Sequence, residues 1–120
     1  MREFKFRSWS LIGKRFWFFD IHTGFNAENS GRFTHPEQFT GLQDKDGADI
    51  YEGDLIKNKT GRICEVVFNE YCAAFDCEVK VDGGKNSEAY GFKNSLWKTQ
   101  VIKIGNIHEN PELLEQMKCQ

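Results

Sequence analysis

Hydrophobic and polar residues alternate along the start of the chain, which is the pattern of a half-buried strand. Within residues 3–9 the phenylalanines fall on one face and the basic side chains on the other. After a turn over residues 10–14, a second strand is expected over residues 15–21. It contains four consecutive aromatic residues beginning at Phe16. Such a strand is either covered on both faces or leaves one aromatic face exposed. The pattern therefore predicts an N-terminal strand pair.

The rest of the chain alternates between short β-prone segments and turn residues. Residues 22–38 show no period and contain two glycines and a proline, so they are predicted to form a flexible loop. Turn and cap positions are predicted at Gly41, Gly47, Gly53 and Asp54. Gly53 is expected to adopt a backbone conformation that a Cβ would strain. Further strands are expected at residues 55–57, 63–68, 72–81 and 101–107, with weaker ones near 89–92 and 96–97.

One short helix is predicted at the C-terminal end, over residues 111–118. Asn110 is expected to cap it, and Pro111 suits the first helical position, where no N–H is needed. Its apolar stripe must dock on the sheet, because about eight residues are too few for a stable isolated helix. We also expect the first strand to lie near the last strand or this helix, since a barrel closes by joining its ends.

Length and composition indicate one folded domain over residues 1–120. The net charge is −2, and 39% of the residues are hydrophobic. Many short strands with frequent turns favour an all-β barrel or sandwich. No apolar run is long enough to cross a bilayer, and the first residues lack the apolar core of a signal peptide. We therefore expect no membrane association, a cytoplasmic location and reduced cysteines.

No cofactor or metal site is predicted from residue spacing. The four cysteines contain no Cys-x2-Cys pair, which argues against structural zinc. The acidic run from Asp44 suggests calcium, but an EF-hand loop needs Gly at the sixth position and Glu at the twelfth. Here those positions hold Asp49 and Leu55. The favoured interpretation is that Asp44 and Asp46 shape a turn through side-chain-to-backbone hydrogen bonds.

No catalytic residues are predicted either. Glu52 and Asp54 flank Gly53 and are interpreted as part of a turn rather than as a catalytic pair. His22 and His35 fall in the predicted loop, and His108 precedes the helix, so spacing assembles no Ser–His–Asp or Cys–His set. The chain also lacks the glycine-rich loops that hold phosphates. We therefore expect a protein that is not an enzyme.

Charge is distributed unevenly along the chain. Residues 1–19 carry five basic side chains against Glu3, whereas residues 37–54 carry six acidic side chains against Lys45. One interpretation is that the two segments face each other within the fold or in a neighbouring copy. The other is that a basic aromatic hairpin binds single-stranded nucleic acid by stacking and charge. That patch would also include Phe92, Lys93, Trp97, Lys98 and Lys103.

Three segments resemble the YopX family of bacteriophage and prophage proteins. They read MREFKFRSW at residues 1–9, QFTGLQDKDGADIYEGDLIK at 38–57 and IGNIHENPELL at 104–114. The resemblance implies a small SH3-like β-barrel and a phage or prophage origin, but no established biochemical activity. The aromatic second strand and residues 22–36 depart from the family pattern.

Together these observations favour a non-enzymatic phage accessory protein that binds another protein or a second copy of itself in the cytoplasm of its bacterial host. Trp and Arg are residue types that anchor protein interfaces. The alternative is a nucleic-acid-binding barrel that uses the same hairpin. The predicted interface residues are Arg7, Trp9, Arg15, Phe16, Trp17, Phe18 and Phe19.

Overall fold

The protein is mainly β, with two antiparallel sheets and one short C-terminal helix. A computed structural model describes residues 3–23, 32–58, 61–71, 73–79, 88–91 and 101–118. In chain order the elements are β1 (Lys5–Trp9), β2 (Phe16–Asp20), β3 (Glu37–Gln43), β4 (Asp49–Tyr51), β5 (Asp54–Lys57), β6 (Ile63–Asn69), β7 (Ala74–Val79), β8 (Glu88–Gly91), β9 (Ile102–Asn106) and α1 (Pro111–Lys118).

The first sheet contains four strands in the order β2-β1-β3-β4, so β2 lies at its edge. The predicted N-terminal strand pair is present: β1 and β2 are antiparallel, with Arg7 opposite Phe18 and Trp9 opposite Phe16. Because side chains alternate across a strand, Arg7, Trp9, Phe16 and Phe18 share one face of the sheet.

The second sheet contains five strands in the order β8-β7-β6-β5-β9. The chain passes from the first sheet to the second through the tight turn between β4 and β5, at residues 52–53. Among the described residues, strand pairing gives these two sheets and no pairing that closes them into one barrel. The mainly β class is therefore confirmed, whereas the closed SH3-like barrel stays a prediction.

Two apolar clusters form the core. One consists of Ile50, Ile56, Cys64, Val66, Cys77 and Val101, with Leu42 packed against it. In the other, the fully buried Met117 of α1 meets Leu55 and Ile63, with Leu113 and Leu114 alongside. The predicted apolar stripe of the helix therefore docks on the second sheet, as expected.

The first strand contacts the turn between β9 and α1. Trp9 stacks on His108, with ring centroids 5.5 Å apart and planes 9° apart. This confirms the expected proximity of the first strand to the C-terminal region. The contact differs from the one expected. Phe6 stacks on Phe19 within the first sheet, and was expected to supply an apolar partner to the C-terminal region.

The predicted loop over residues 22–38 is shorter at its C-terminal end than expected. Glu37 and Gln38 already belong to β3, where Glu37 pairs with Arg7. Phe33 forms an isolated bridge with Ser10. The predictions made for residues 24–31, for the strand near 96–97 and for two of the four cysteines, Cys72 and Cys119, lie outside the described residues.

Candidate functional site

The seven predicted interface residues are divided between the surface and the interior. Trp17 and Phe18 are 52% and 60% exposed, and Arg15 is also exposed. Phe16 and Phe19 are half-buried. Arg7 and Trp9 are only 1% and 7% exposed, so their predicted place on a surface is wrong. Both lie on the face of β1 that packs against buried groups from distant parts of the chain.

Exposed apolar side chains are concentrated on the β1–β2 hairpin. Leu11, Ile12, Trp17, Phe18 and Ile21 are each about half exposed or more, and we call these five residues the hairpin surface. Natural edge strands are usually protected by charged residues, proline or bulges. The first four residues of β2 include no charge and no proline. An unprotected aromatic strand edge of this kind is typical of an interaction site.

A groove of about 270 Å³ adjoins the hairpin surface. Ile12, Trp17 and Phe33 supply apolar walls, and Arg15 and Arg32 supply positive charge. The groove can therefore accept an apolar group that carries or neighbours negative charge.

A second groove, of about 400 Å³, lies at the β6–β7 hairpin, which the sequence did not single out. It is lined by the exposed aromatics Phe68 and Tyr71 and by the acidic Glu70, Asp76 and Glu78. Its charge is opposite in sign to that of the groove beside the hairpin surface.

Arg7 lies at the centre of a buried charged cluster between the sheets. Its Nε donates to Oε1 of Glu37 at 2.9 Å, and its Nη1 lies 2.8 Å from Oδ1 of Asp54. Its Nη2 donates to the carbonyl of Glu52 at 3.0 Å. The guanidinium also lies 4.2 Å from the ring centre of Phe16, a distance typical of cation–π contact.

Two further side chains complete what we call the Arg7 cluster: Arg7, Glu37, Asp54, Lys103 and His108. Nζ of Lys103 is 3.2 Å from Oδ2 of Asp54, and Nε2 of His108 is 3.0 Å from Oε2 of Glu37. Burial raises the pKa of Asp54, and Arg7 and Lys103 oppose that change. Neither groove described above is lined by any residue of this cluster. The cluster therefore links the first sheet to the second and to the segment before the helix.

The cluster confirms the interpretation that the basic and acidic segments face each other within the fold. Besides the contacts of Arg7, Nζ of Lys5 lies 2.8 Å from Oδ2 of Asp49. Sequence reasoning did not identify Glu37, Lys103 or His108 as members. The opposite charges of residues 1–19 and 37–54 were the available signal, but they do not specify which side chains meet.

The predicted turn glycines all have positive φ, between 83° and 86°. At Gly53 a Cβ would also clash with Oε2 of Glu37, so the expected strain is confirmed. Gly41 lies inside β3 and not in a turn; the register with β4 shifts between Phe39 and Gln43. Glycine is common at such irregularities because it has no Cβ to restrict φ.

Of the remaining predicted turn and cap residues, Asp54 has the expected role and Asn110 does not. Asp54 closes the turn before β5, because its Oδ2 accepts the N–H of Tyr51 at 2.7 Å. Asn110 precedes α1, and Pro111 is its first residue. The Asn110 side-chain oxygen, however, accepts the N–H of Asn106 at 3.2 Å, so it points back to β9 and not to the helix amides.

Asp44 organises the acidic turn as the sequence predicted. Its Oδ1 accepts the N–H groups of Asp46 and Ala48, each at 2.9 Å, and its Oδ2 accepts that of Lys103 at 2.9 Å. Burial acts to raise the pKa of Asp44, but the three N–H groups outweigh it and hold the pKa below its ordinary value. The turn is thereby fastened to β9.

The part of the chain that the structure describes contains no group of three or more His, Cys, Asp or Glu side chains placed to hold a metal ion. Cys64 and Cys77 are buried free thiols, and burial raises the pKa of Cys64 to about 11. No helix in that part has the length and apolar character needed to span a bilayer.

The proposed nucleic-acid patch is only partly described. Lys5 and Lys103 pair with Asp49 and Asp54, and Arg7 is enclosed in its cluster. The remaining members of that patch, Phe92, Lys93, Trp97 and Lys98, lie outside the described residues.

Comparisons with known proteins identify a family and a fold. A model of the YopX protein family matches residues 17–115. The crystal structure of protein EF1440 from Enterococcus faecalis is similar, with a TM-score of 0.58 and 18% sequence identity over 95% of this chain and 99% of that chain. At that identity the likeness shows the fold alone. No curated protein matches the sequence.

Proposed function

This chain belongs to the YopX family, and we propose that it is a phage or prophage accessory protein that binds another protein, or a second copy of itself, without catalysing a reaction. The proposal includes an SH3-like closure of the two sheets and a location in the cytoplasm of a bacterial host. The phage origin implied by the resemblance supports that location, and the contacts of Arg7 with Asp54 and of His108 with Glu37 across the sheets support that closure.

The observation that carries this proposal is the exposed aromatic edge of β2. Trp17 and Phe18 expose more than half of their surface although both are strongly apolar. Covering such side chains removes apolar area from water at roughly 25 cal/mol per Å². Trp is also among the residues that dominate binding energy in protein interfaces. The nearby Arg15 is placed to form part of the polar rim.

Nucleic-acid binding is the second candidate, and the groove beside the hairpin surface is the observation that favours it. Arg15, Arg32 and Trp17 line that groove together, which suits a phosphate and a stacked base. Against nucleic-acid binding, three of the basic side chains already form ion pairs with carboxylates of the same chain, namely Lys5, Arg7 and Lys103.

The two candidates are separated by the effect of salt. Binding to phosphates releases counterions, so its affinity falls steeply as salt rises, whereas an apolar interface persists. We expect a labelled single-stranded oligonucleotide to show at most weak binding in fluorescence anisotropy at physiological salt. We expect protein association, measured by light scattering and by capture of host proteins, to persist at high salt.

The matched variants are Trp17→Ser and Tyr71→Ser, which each remove an exposed aromatic ring from a different hairpin. Protein association should weaken in Trp17→Ser and stay unchanged in Tyr71→Ser. Submicromolar, salt-sensitive oligonucleotide binding that is lost in Arg15→Glu, with no protein association at any salt concentration, would overturn the proposal and favour the second candidate.

A further inference from the structure

We propose that the partner of the β2 edge is β2 of a second copy of this chain, paired antiparallel about a two-fold axis at Trp17. The two four-stranded sheets would then become one continuous eight-stranded sheet. This inference rests on the proposed function, because it specifies which protein the hairpin surface binds.

The backbone hydrogen bonds around β1 show which groups of β2 face the open edge. The N–H of Thr34 donates to the carbonyl of Trp9, and the N–H of Ser10 donates to the carbonyl of Arg15. Backbone groups of successive residues in a strand point to opposite sides. The backbone of Trp9 therefore faces β3, and that of its cross-strand partner Phe16 faces away from β1. The same alternation turns the backbone groups of Phe18 and Asp20 to the edge.

At the Asp20 end of β2, local hydrogen bonds already occupy the edge. The N–H of Asp20 donates to Oγ1 of Thr23 at 3.0 Å, and Oδ1 of Asp20 accepts the N–H groups of His22 and Thr23. Within the part of the chain that the structure describes, Phe16 and Phe18 are therefore the residues of β2 whose N–H and C=O groups remain directed to the edge for pairing with another strand.

Symmetry restricts the register of a pair of β2 strands. A two-fold axis perpendicular to the sheet keeps each side chain on its own face, so the numbers of paired residues must add to an even sum. The two registers that keep β2 paired near its centre are centred on Trp17 and on Phe18.

The Trp17 register fits the available backbone groups. It pairs Phe16 with Phe18 of the second copy, and the symmetric pair repeats this, so four hydrogen bonds form from edge-facing groups alone. The Phe18 register pairs Phe18 with Phe18 of the second copy, but its outer pairs of Phe16 with Asp20 are incomplete because Thr23 already holds the Asp20 N–H.

Charge complementarity favours the same register. Lys14 lies two residues before β2 at a positive φ, so centring on Trp17 brings its exposed side chain near, though not in register with, Asp20 of the second copy at both ends of the joint. It also places Arg15 opposite the ring of Phe19, a cation–π arrangement. Centring on Phe18 would instead place the carboxylate of Asp20 opposite Phe16. Cross-strand pairs of opposite charge stabilise a sheet, and like charges destabilise it.

A charge-exchange experiment tests the partner and the register together. Sedimentation velocity is measured for wild type, for Lys14→Asp, for Asp20→Lys, and for an equimolar mixture of the two variants. Each variant alone places like charges at both ends of the joint, so its dimerisation should weaken by about tenfold. In the mixture, a heterodimer has opposite charges at both ends, and dimerisation should return. A mixture that dissociates as readily as its components would overturn the inference.

Cross-linking gives a second readout that does not depend on the Asp20 turn. In the Trp17 register the two Trp17 residues form a non-hydrogen-bonded pair with Cα atoms about 4.5 Å apart, within the range of a disulfide. The two Phe19 residues are about 13 Å apart, since four residues separate them along the strand. With Cys72 and Cys119 replaced by Ser, and at a protein concentration raised to offset the weaker association of a Trp17 variant, Trp17→Cys should oxidise to a covalent dimer and Phe19→Cys should not. Equal cross-linking of both, or of neither, contradicts the register.

The failure of this inference differs from the failure of the proposed function. A wild-type chain that sediments as a monomer at every concentration, but still captures another protein in a Trp17-dependent way, overturns the second copy as partner and leaves protein binding intact. A chain that neither self-associates nor captures protein, but binds the oligonucleotide, overturns both.

Discussion

A single guanidinium joins the two sheets. Arg7 contacts carboxylates from β3 and β5 and is enclosed by the rings of Phe16 and Tyr51. Burying ions is costly unless each finds partners, and removing one member leaves the others uncompensated. The Arg7 cluster is therefore a place where one substitution should have a large effect on folding.

Replacing Arg7 with Met should lower the free energy of unfolding by about 3–5 kcal/mol, because Glu37 and Asp54 would keep buried charge without its main partner. Lys5→Met is the matched control, since Lys5 also pairs with a carboxylate but retains a third of its side-chain exposure. It should cost about 1 kcal/mol or less. Urea denaturation measures both. Equal losses in the two variants would show that the Arg7 contacts do not hold the sheets together.

Comparing Gly53 with Gly47 separates the two destabilising effects of replacing a glycine, which are backbone strain and steric clash of the added Cβ. Both have positive φ, but only at Gly53 would a Cβ meet another group, the carboxylate of Glu37. Gly47→Ala should cost about 1 kcal/mol from backbone strain alone. Gly53→Ala should cost about 1–3 kcal/mol and displace Glu37 from His108. Thermal denaturation of the two variants provides the comparison, and equal melting temperatures would argue against the close approach.

At the scale of elements, the turn between β3 and β4 depends on Asp44. Its carboxylate binds two amides of its own turn and one amide of β9. The sequence could predict the local half of this arrangement, because Asp before Gly commonly forms such turns. It could not predict the bond to Lys103, which lies 59 residues away in the chain.

The depressed pKa of Asp44 predicts a specific pH dependence. A carboxyl group whose pKa is lower in the folded state stabilises the fold above its unfolded pKa of about 3.9, and this contribution disappears as pH falls through the folded value. At pH 7, Asp44→Asn should be less stable than wild type by about 1–3 kcal/mol. The difference should shrink as pH falls below about 4.

Asp46→Asn is the control for the Asp44 prediction, because it makes the same change of charge at an exposed position in the same turn. Urea denaturation at pH 7 and at pH 3 should show a narrowing gap to wild type for Asp44→Asn only. A gap that stays constant over this range would mean that Asp44 acts through its shape and not through its charge.

At the scale of the whole molecule, local patterns predicted the strands, the helix and the family more completely than the site. The alternation in β1 was correct, but it suggested that the charged face meets solvent. In the structure that face meets acidic groups from three other strands and turns. Which charges meet depends on pairing between residues 30–71 positions apart in the chain, and local periodicity carries no information about that distance.

The same limit applied to the aromatic strand. Four consecutive aromatic residues left open which of them face the interior. The register with β1 places Phe16 beside the buried Trp9 and turns Trp17 to the opposite face, where it is exposed. Phe18 shares the face of Phe16 and contacts Tyr51, yet it is 60% exposed. Of the seven predicted interface residues, only Trp17 and Phe18 belong to the hairpin surface, and their side chains point to opposite faces of β2.

Backbone amide exchange tests most directly whether the β2 edge is an interface. The amides of Trp17 and Phe19 face β1, so they should be protected at every protein concentration and serve as internal references. The amide of Phe18 faces the open edge, and its exchange should slow as rising concentration converts monomer to dimer. Fast exchange of the Phe18 amide at all concentrations, beside protected Trp17 and Phe19 amides, would contradict pairing of β2 with a second copy.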